Sequence, residues 1–236
     1  MYGNTIEYEV TGRYALFSEP VTRLGGEKFS YPVPTYEALK GVTDSIYWKP
    51  TIIWVIDKVR VMNKVATESK GVRINSDMAS WKPDLERATY LHDVRYQVSA
   101  HFEWNRFRPD MKQDHETIKH QSIAMRYLAV GGRRDIFLGT RECQGYVEPC
   151  VFGEGKSFYD DYGTWDLGYM FHSFIYPDKN DKHDLSVGYW HPVMTDGIIE
   201  FPRPESESID RRVIRTVPTP RGARSKNTHT TGKEER

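Results

Sequence analysis

Two adjacent side chains, Lys119 and His120 in the segment D-H-E-T-I-K-H-Q-S-I-A-M-R-Y-L, carry the strongest chemical signal in the chain. A lysine supplies a fixed positive charge, and an imidazole, titrating near pH 6.5 when unperturbed, moves protons at neutral pH. Together they equip a protein for phosphodiester cleavage without a metal. The dipeptide also arises by chance on solvated surfaces. On a regular helix His120 falls near Ala124 and Tyr127, and a histidine on such a face is usually a packing residue. A zinc reading fails on geometry. His115-Glu116 followed by His120 is one residue longer than H-E-x-x-H. At about 100° per residue a separation of five places the imidazoles roughly 140° apart, whereas two ligands on one face need i and i+4. Cys143 and Cys150 lack C-x-x-C spacing. No metal and no other cofactor is expected, and no nucleophile elbow or phosphate-binding loop stands out.

The net charge of the 236 residues is zero, which argues against nucleic acid until its distribution is examined. Residues 49–73 hold six cations against two acids, net +4, and residues 104–141 hold eight against four, again +4. Residues 142–184 reverse this with nine acids against three lysines, net −6. A neutral chain can thus present a basic face to phosphates and an acidic region elsewhere, or simply several solvated surfaces. No stretch approaches the roughly 20 apolar residues of a membrane span. The start, M-Y-G-N-T-I-E-Y-E-V, lacks a basic segment followed by an apolar run, so no secretory signal is expected. With only two cysteines, which would face oppositely on one strand, free thiols in a reducing cytoplasm are the expectation.

The elements that must position Lys119 and His120 follow from periodicity. Residues 4–18 alternate Ile6, Tyr8 and Val10 as a strand does. Thr35 is placed to cap a helix carrying Ala38, Leu39, Val42 and Ile46, which ends near Tyr47 because Pro50 disfavours helical geometry at Lys49. Residues 51–62 and 87–104 read as strands, about 115–130 as a helix, and 137–147 as a strand. Strand, helix, strand, strand, helix, strand is the ferredoxin-like βαββαβ plan shared by RNA-recognition domains, an α+β fold. This domain is expected over residues 1–150. A small, mainly β extension rich in aromatic residues follows over 151–210, and a basic, disordered tail over 211–236.

Several longer motifs resemble one family. The stretch F-S-Y-P-V-P-T-Y-E-A-L-K-G at residues 29–41 is similar to the N-terminal signature of the CRISPR-associated Cas-five family. The likeness continues through S-I-Y-W-K-P, T-I-K-H-Q and L-G-T-R-E-C-Q-G-Y-V-E-P-C to about residue 200. It looks like the subtype I-C branch. That resemblance implies a ferredoxin-like domain with a small β domain, and an endoribonuclease that cuts precursor CRISPR RNA within its repeats. It further implies that the protein stays on the 5′ handle of the mature crRNA, beside the repeated backbone subunit and the large subunit, and reaches target DNA through that complex. Enzymes of this branch use a tyrosine after the first helix and an adjacent Lys-His pair, which correspond here to Tyr47, Lys119 and His120.

RNA carries its own nucleophile, so attack of the 2′-hydroxyl on the adjacent phosphate would leave a 2′,3′-cyclic phosphate and a 5′-hydroxyl. His120 suits proton transfer, Lys119 the developing phosphate charge, and Tyr47 either positions or deprotonates the hydroxyl. RNA-binding candidates of lower rank surround them. Arg23 and Lys28 flank the Gly25-Gly26 turn, Trp48 and Lys49 adjoin Tyr47, and Arg133 and Arg134 follow Gly131-Gly132. The competing readings are a non-catalytic structural subunit that only grips the crRNA handle, and a DNA-binding or DNA-cutting protein.

Overall fold

A computed structural model describes residues 3–23, 26–75, 83–177 and 184–216. The first strand, β1 (Thr5–Ala15), sends Ile6, Tyr8 and Val10 into the core, as the alternation requires. A short helix α1 (Pro20–Arg23) and strand β2 (Lys28–Phe29) lead to α2 (Tyr36–Ile46). The Thr35 hydroxyl accepts the Ala38 N–H at 3.2 Å and starts α2, whose Leu39, Val42 and Ile46 are buried. Next come β3 (Ile52–Val61), β4 (Thr67–Asn75) and β5 (Pro83–Trp104). A 3₁₀ turn over Pro109–Asp114 precedes α3 (Thr117–Ala129).

The strand expected over 137–147 is instead a pair, β6 (Ile136–Phe137) and β7 (Gln144–Pro149). The break lies at Gly139, whose φ of 95° suits glycine and where a Cβ would lie 1.9 Å from the Leu16 carbonyl oxygen. Strand β4 was not expected either. Its sequence, T-E-S-K-G-V-R-I-N, is too polar to read as a half-buried strand, and it forms by pairing with the first half of β5 from Thr67↔Leu91 to Asn75↔Pro83.

After residue 150 come β8 (Thr164–Asp166), β9 (Met170–Ile175), β10 (Asp184–Trp190), β11 (Val193–Thr195), β12 (Ile198–Glu200) and β13 (Asp210–Thr216). The result is a mixed α/β protein with a large, mostly antiparallel sheet and few helices. The sheet runs β6-β7-β1-β5-β3-β12-β11-β8, with β2 and β4 also joined to β5. Strands β13, β10 and β9 form a second sheet. Strand β13 lies where the tail was expected to begin. Its side chains are exposed throughout, so backbone pairing with β10 holds it, and a reading that looks for core residues does not register it. Residues 217–236 lie outside the described residues.

The two faces of the large sheet differ. Toward the helices, Tyr8 Oη meets Thr43 Oγ1 of α2 at 2.8 Å. On the reverse, Glu9, Gln97 and Arg60 form one row across β1, β5 and β3. Residues 152–160 cover this row: Gly153 N–H donates to Gln97, and the Arg60 guanidinium reaches the Gly155 carbonyl and Asp160. An RNA-recognition domain stacks bases on its open sheet face. Here that row of the sheet is occupied by the chain itself. No helix among the described residues is long and apolar enough to cross a membrane.

Candidate active site

Tyr47, Lys119 and His120 come together at the end of α2 and the first turn of α3. Tyr47 leaves the helix in an extended conformation, φ −157° and ψ 126°, while its N–H still donates to the Thr43 carbonyl. Trp54 Nε1–H of β3 donates to the Tyr47 carbonyl at 2.6 Å. Pinned this way, Tyr47 directs its hydroxyl to His120 Nδ1, 2.8 Å away. The imidazole shares the buried stripe of α3 with Ala124 and Leu128, and its other nitrogen lies 2.8 Å from the Asp114 carbonyl. A carbonyl only accepts, so Nε2 carries a proton and, in the neutral ring, Nδ1 accepts from Tyr47.

Neighbours in sequence, Lys119 and His120 stand about 100° apart around the helix. Lys119 is exposed, while His120 has 0% of its surface accessible and Tyr47 1%. Asp114 gathers them. Its carboxylate pairs with the Lys119 ammonium, lies 3.4 Å from His120 Nε2, and accepts the Thr51 hydroxyl at 2.8 Å. Lys119, followed by Thr51, holds the Asp114 carboxyl below the usual carboxylate range, and Asp114 in turn raises the Lys119 ammonium. Burial, aided by the Asp114 charge, pushes the Tyr47 phenol up to about 12, with the Arg133 charge opposing it. The Tyr127 ring lies nearly parallel to Tyr47, centroids 6.1 Å apart, and the Arg133 guanidinium carbon stands 5.9 Å from the Tyr127 centroid.

The other candidates divide. Trp48 is 42% exposed and, with the exposed Lys49, leads straight out from Tyr47. Gly131 and Gly132, at φ 87° and 103°, turn the chain so that the Arg133 and Arg134 N–H groups cap α2 at the Ser45 carbonyl. Both arginine side chains are exposed beside the cluster. Lys28 is not brought to this site. It sits in β2, pairs in register with Ala88 at the far end of β5 from Trp104, and forms an ion pair with Glu86 at 2.9 Å. Arg23 ends α1, and its side chain, like Gly25, lies outside the described residues. His115 precedes α3 and stacks on Trp104, ring centroids 4.4 Å apart, so it shares no helix with His120. Cys143 and Cys150 are both free thiols. Sequence reasoning missed Asp114 and Thr51. The acid was visible only as part of D-H-E, and nothing in the spacing ties Thr51 to it across 63 residues.

Residues 5–202 match the Cas5d model of the family described as CRISPR-associated protein (Cas_Cas5). The chain belongs to that family, in its subtype I-C branch. The family match spans every strand from β1 to β12 and the three candidate catalytic positions. A relative from Mannheimia succiniciproducens, named CRISPR pre-crRNA endoribonuclease Cas5d, is 26% identical over 88% of this chain and 99% of its own length. One of the same name from Thermus thermophilus is 37% identical over 61% of this chain and 63% of its own. Among solved structures, one described as a CRISPR-associated protein superposes with a TM-score of 0.74 at 36% identity, covering 88% of this chain and 97% of that one. A functionally uncharacterized protein from Streptococcus mutans, SMU1763c, gives 0.72 at 41% identity with the same coverage.

Proposed function

We propose that this family member is a metal-independent endoribonuclease that cuts precursor CRISPR RNA in its repeats and then remains on the crRNA 5′ handle as a subunit of the cytoplasmic type I-C interference complex. The relatives' names support the substrate, and the meeting of Tyr47, Lys119 and His120 around Asp114 is the observation that carries the chemistry. In this reading the connected strands β7-β1-β5-β3 with α2 and α3 are a ferredoxin-like unit, the catalytic and RNA-binding domain of residues 1–150. Residues 151–210 form its β-rich extension.

The arrangement described above is the resting state. A repeat phosphate competes with Asp114 for Lys119, helped by the unsatisfied N–H groups at the start of α3, which lacks a side-chain cap. Release of Asp114 lifts the 109–114 turn from His120 and frees Nε2. The 2′-oxygen then attacks phosphorus, the P–O5′ bond breaks, and one proton leaves the 2′-hydroxyl while another reaches the departing 5′-oxygen. His120 serves proton transfer, Lys119 balances charge on the phosphorane, and Tyr47 orients the imidazole. Trp48, Lys49, Arg133 and Arg134 hold the RNA around the cut, with Arg23 and Lys28 as outlying contacts. The products carry a 2′,3′-cyclic phosphate and a 5′-hydroxyl.

A second reading has its own support. A fully buried His120 with both nitrogens bonded is also what a structural histidine looks like, and the protein would then grip the handle without cutting. Purified protein and repeat RNA in EDTA separate the two. Cleavage blocked by a single 2′-deoxy substitution at the cut is the expected result; intact RNA despite tight binding leaves only the structural subunit.

A further inference from the structure

Two adjoining cavities make a trough that starts beside the candidate catalytic cluster. The smaller, about 370 Å³, opens at Trp48 and Pro50, which flank the chain between Tyr47 and Thr51. The larger, about 440 Å³, runs on to Phe174 of β9 and to Arg203 and Arg211 beside the second sheet. Lys40, Ile53 and Phe107 belong to both walls, so the two spaces adjoin. We propose that this trough binds the single-stranded RNA adjoining the cut, with bases on its aromatic side chains and phosphates on its cations. The inference rests on the ribonuclease reading above and extends it to a surface that, apart from Trp48, none of the candidate residues lines.

Three features point to a single strand. Large aromatic faces stay in water there: Trp48 is 42% exposed and Phe174 41%. Cations are interleaved with them. Among the described residues Lys40, Arg106 and Arg211 form no ion pair, and the Arg106 guanidinium lies 4.9 Å from the Phe107 ring centroid. Arg211 donates to the Pro204 carbonyl at 2.8 Å, which aims its head while leaving its charge unneutralised. Carboxylates also line the walls; Glu103 is taken up by Arg203 at 2.6 Å, and Glu37, Asp44 and Glu205 add negative charge. Such a mixed wall is a poor track for a duplex, whose recognition rests on closely spaced phosphates. It suits a strand whose bases stack while phosphates touch down at intervals.

The test uses the full chain and a repeat RNA carrying a 2′-deoxy residue at the cut, so that it binds and is not consumed. Photocrosslinking from 5-iodouridine placed in the single-stranded flank should label peptides containing Phe107 or Phe174. Phe174→Ala and Arg106→Gln, both at exposed side chains, should each weaken binding of flanked RNA on the order of tenfold and fivefold respectively, and Arg106→Gln should lower the salt slope by about 0.7. Neither should alter binding of a blunt hairpin without the flank. Unchanged affinity for flanked RNA, an equal loss on the blunt hairpin, or crosslinks confined to other surfaces each overturn the trough. The ribonuclease reading fails separately: crosslinks in the trough with an all-ribose repeat left intact remove the nuclease and keep the binding site.

Discussion

A phenol pushed up to about 12 keeps its proton at neutral pH, so in the proposed mechanism the imidazole, not the phenol, is the proton acceptor. Once the Asp114 carbonyl withdraws, the ring takes the tautomer in which Nδ1–H donates to the Tyr47 oxygen, which fixes the ring and leaves Nε2, the nitrogen that must reach RNA, able to accept. His120→Ala is therefore expected to lower single-turnover cleavage by about 10²–10⁴-fold, and Tyr47→Phe by no more than about tenfold. Equal losses would return the proton-transfer role to the phenol. Lys119→Ala should cost about 10²–10³-fold in rate. Asp114 makes an opposite prediction. Its carboxylate competes with phosphate for an exposed ammonium, so Asp114→Asn should tighten repeat binding by about two- to fivefold. Half-saturation in single-turnover cleavage measures this, and weaker binding would mean that Asp114 organises the site rather than occupying it.

At the scale of the elements, a bulge in β3 supplies a charge pair. The register with β5 shifts between Ile56 and Lys58, which leaves Asp57 out of the pairing. Its carboxylate turns to His101 Nδ1 at 2.9 Å, and its carbonyl accepts the Phe201 N–H just beyond β12. Asp57 first, and Glu103 after it, raise the His101 imidazole above its ordinary value. A raised folded pKa contributes stability that is complete below about 6.5 and is lost as pH rises through the folded value. Asp57→Asn should thus cost about 1 kcal/mol at pH 6, a drop of about 2–4 °C in Tm, and close to nothing well above the folded value. Melting curves at two pH values check this; the same loss at both would remove the charge from the explanation. Elements set by local rules were legible in the sequence. The alternation of β1, the Thr35 cap and the end of α2 before Pro50 each depend on residues a few positions apart. Strand β4, the break at Gly139, the exposed β13 and the convergence of Thr51 on Asp114 depend on partners tens of residues away. Periodicity does not record them. Lys119-His120 was singled out by residue chemistry and Tyr47 by motif likeness, and the acid around which the structure gathers them was in neither.

Over the whole molecule the neutral charge resolves into two sides. Part of the acidic stretch of residues 142–184 is spent behind the sheet, where Asp160 meets the buried Arg60 at 2.7 Å, while α3 and the turns around it carry Lys119, Arg133 and Arg134 on the other side. In the proposed reading, RNA therefore meets the helix side rather than the sheet. Arg60 is the clasp of this arrangement. It donates to the Glu154 and Gly155 carbonyls and to Asp160, and Gln97 beside it bonds Glu154 and Gly153 as well. Arg60→Met keeps the buried stem and removes these donors. The Gly155 carbonyl and Asp160 then lose a partner, and both, lying at exposed residues, regain water. The cost should be about 2 kcal/mol rather than the larger penalty of a stranded buried charge. In a chain of this length that lowers Tm by about 4–8 °C. Because the clasp holds a segment and not the core, trypsin should begin to cut at the exposed Lys156 before global unfolding. Cleavage of repeat RNA below the lowered Tm should persist, since Tyr47 and His120 lie on the helix side. Loss of cleavage with Tm and proteolysis unchanged would show instead that the reverse face takes part in binding RNA.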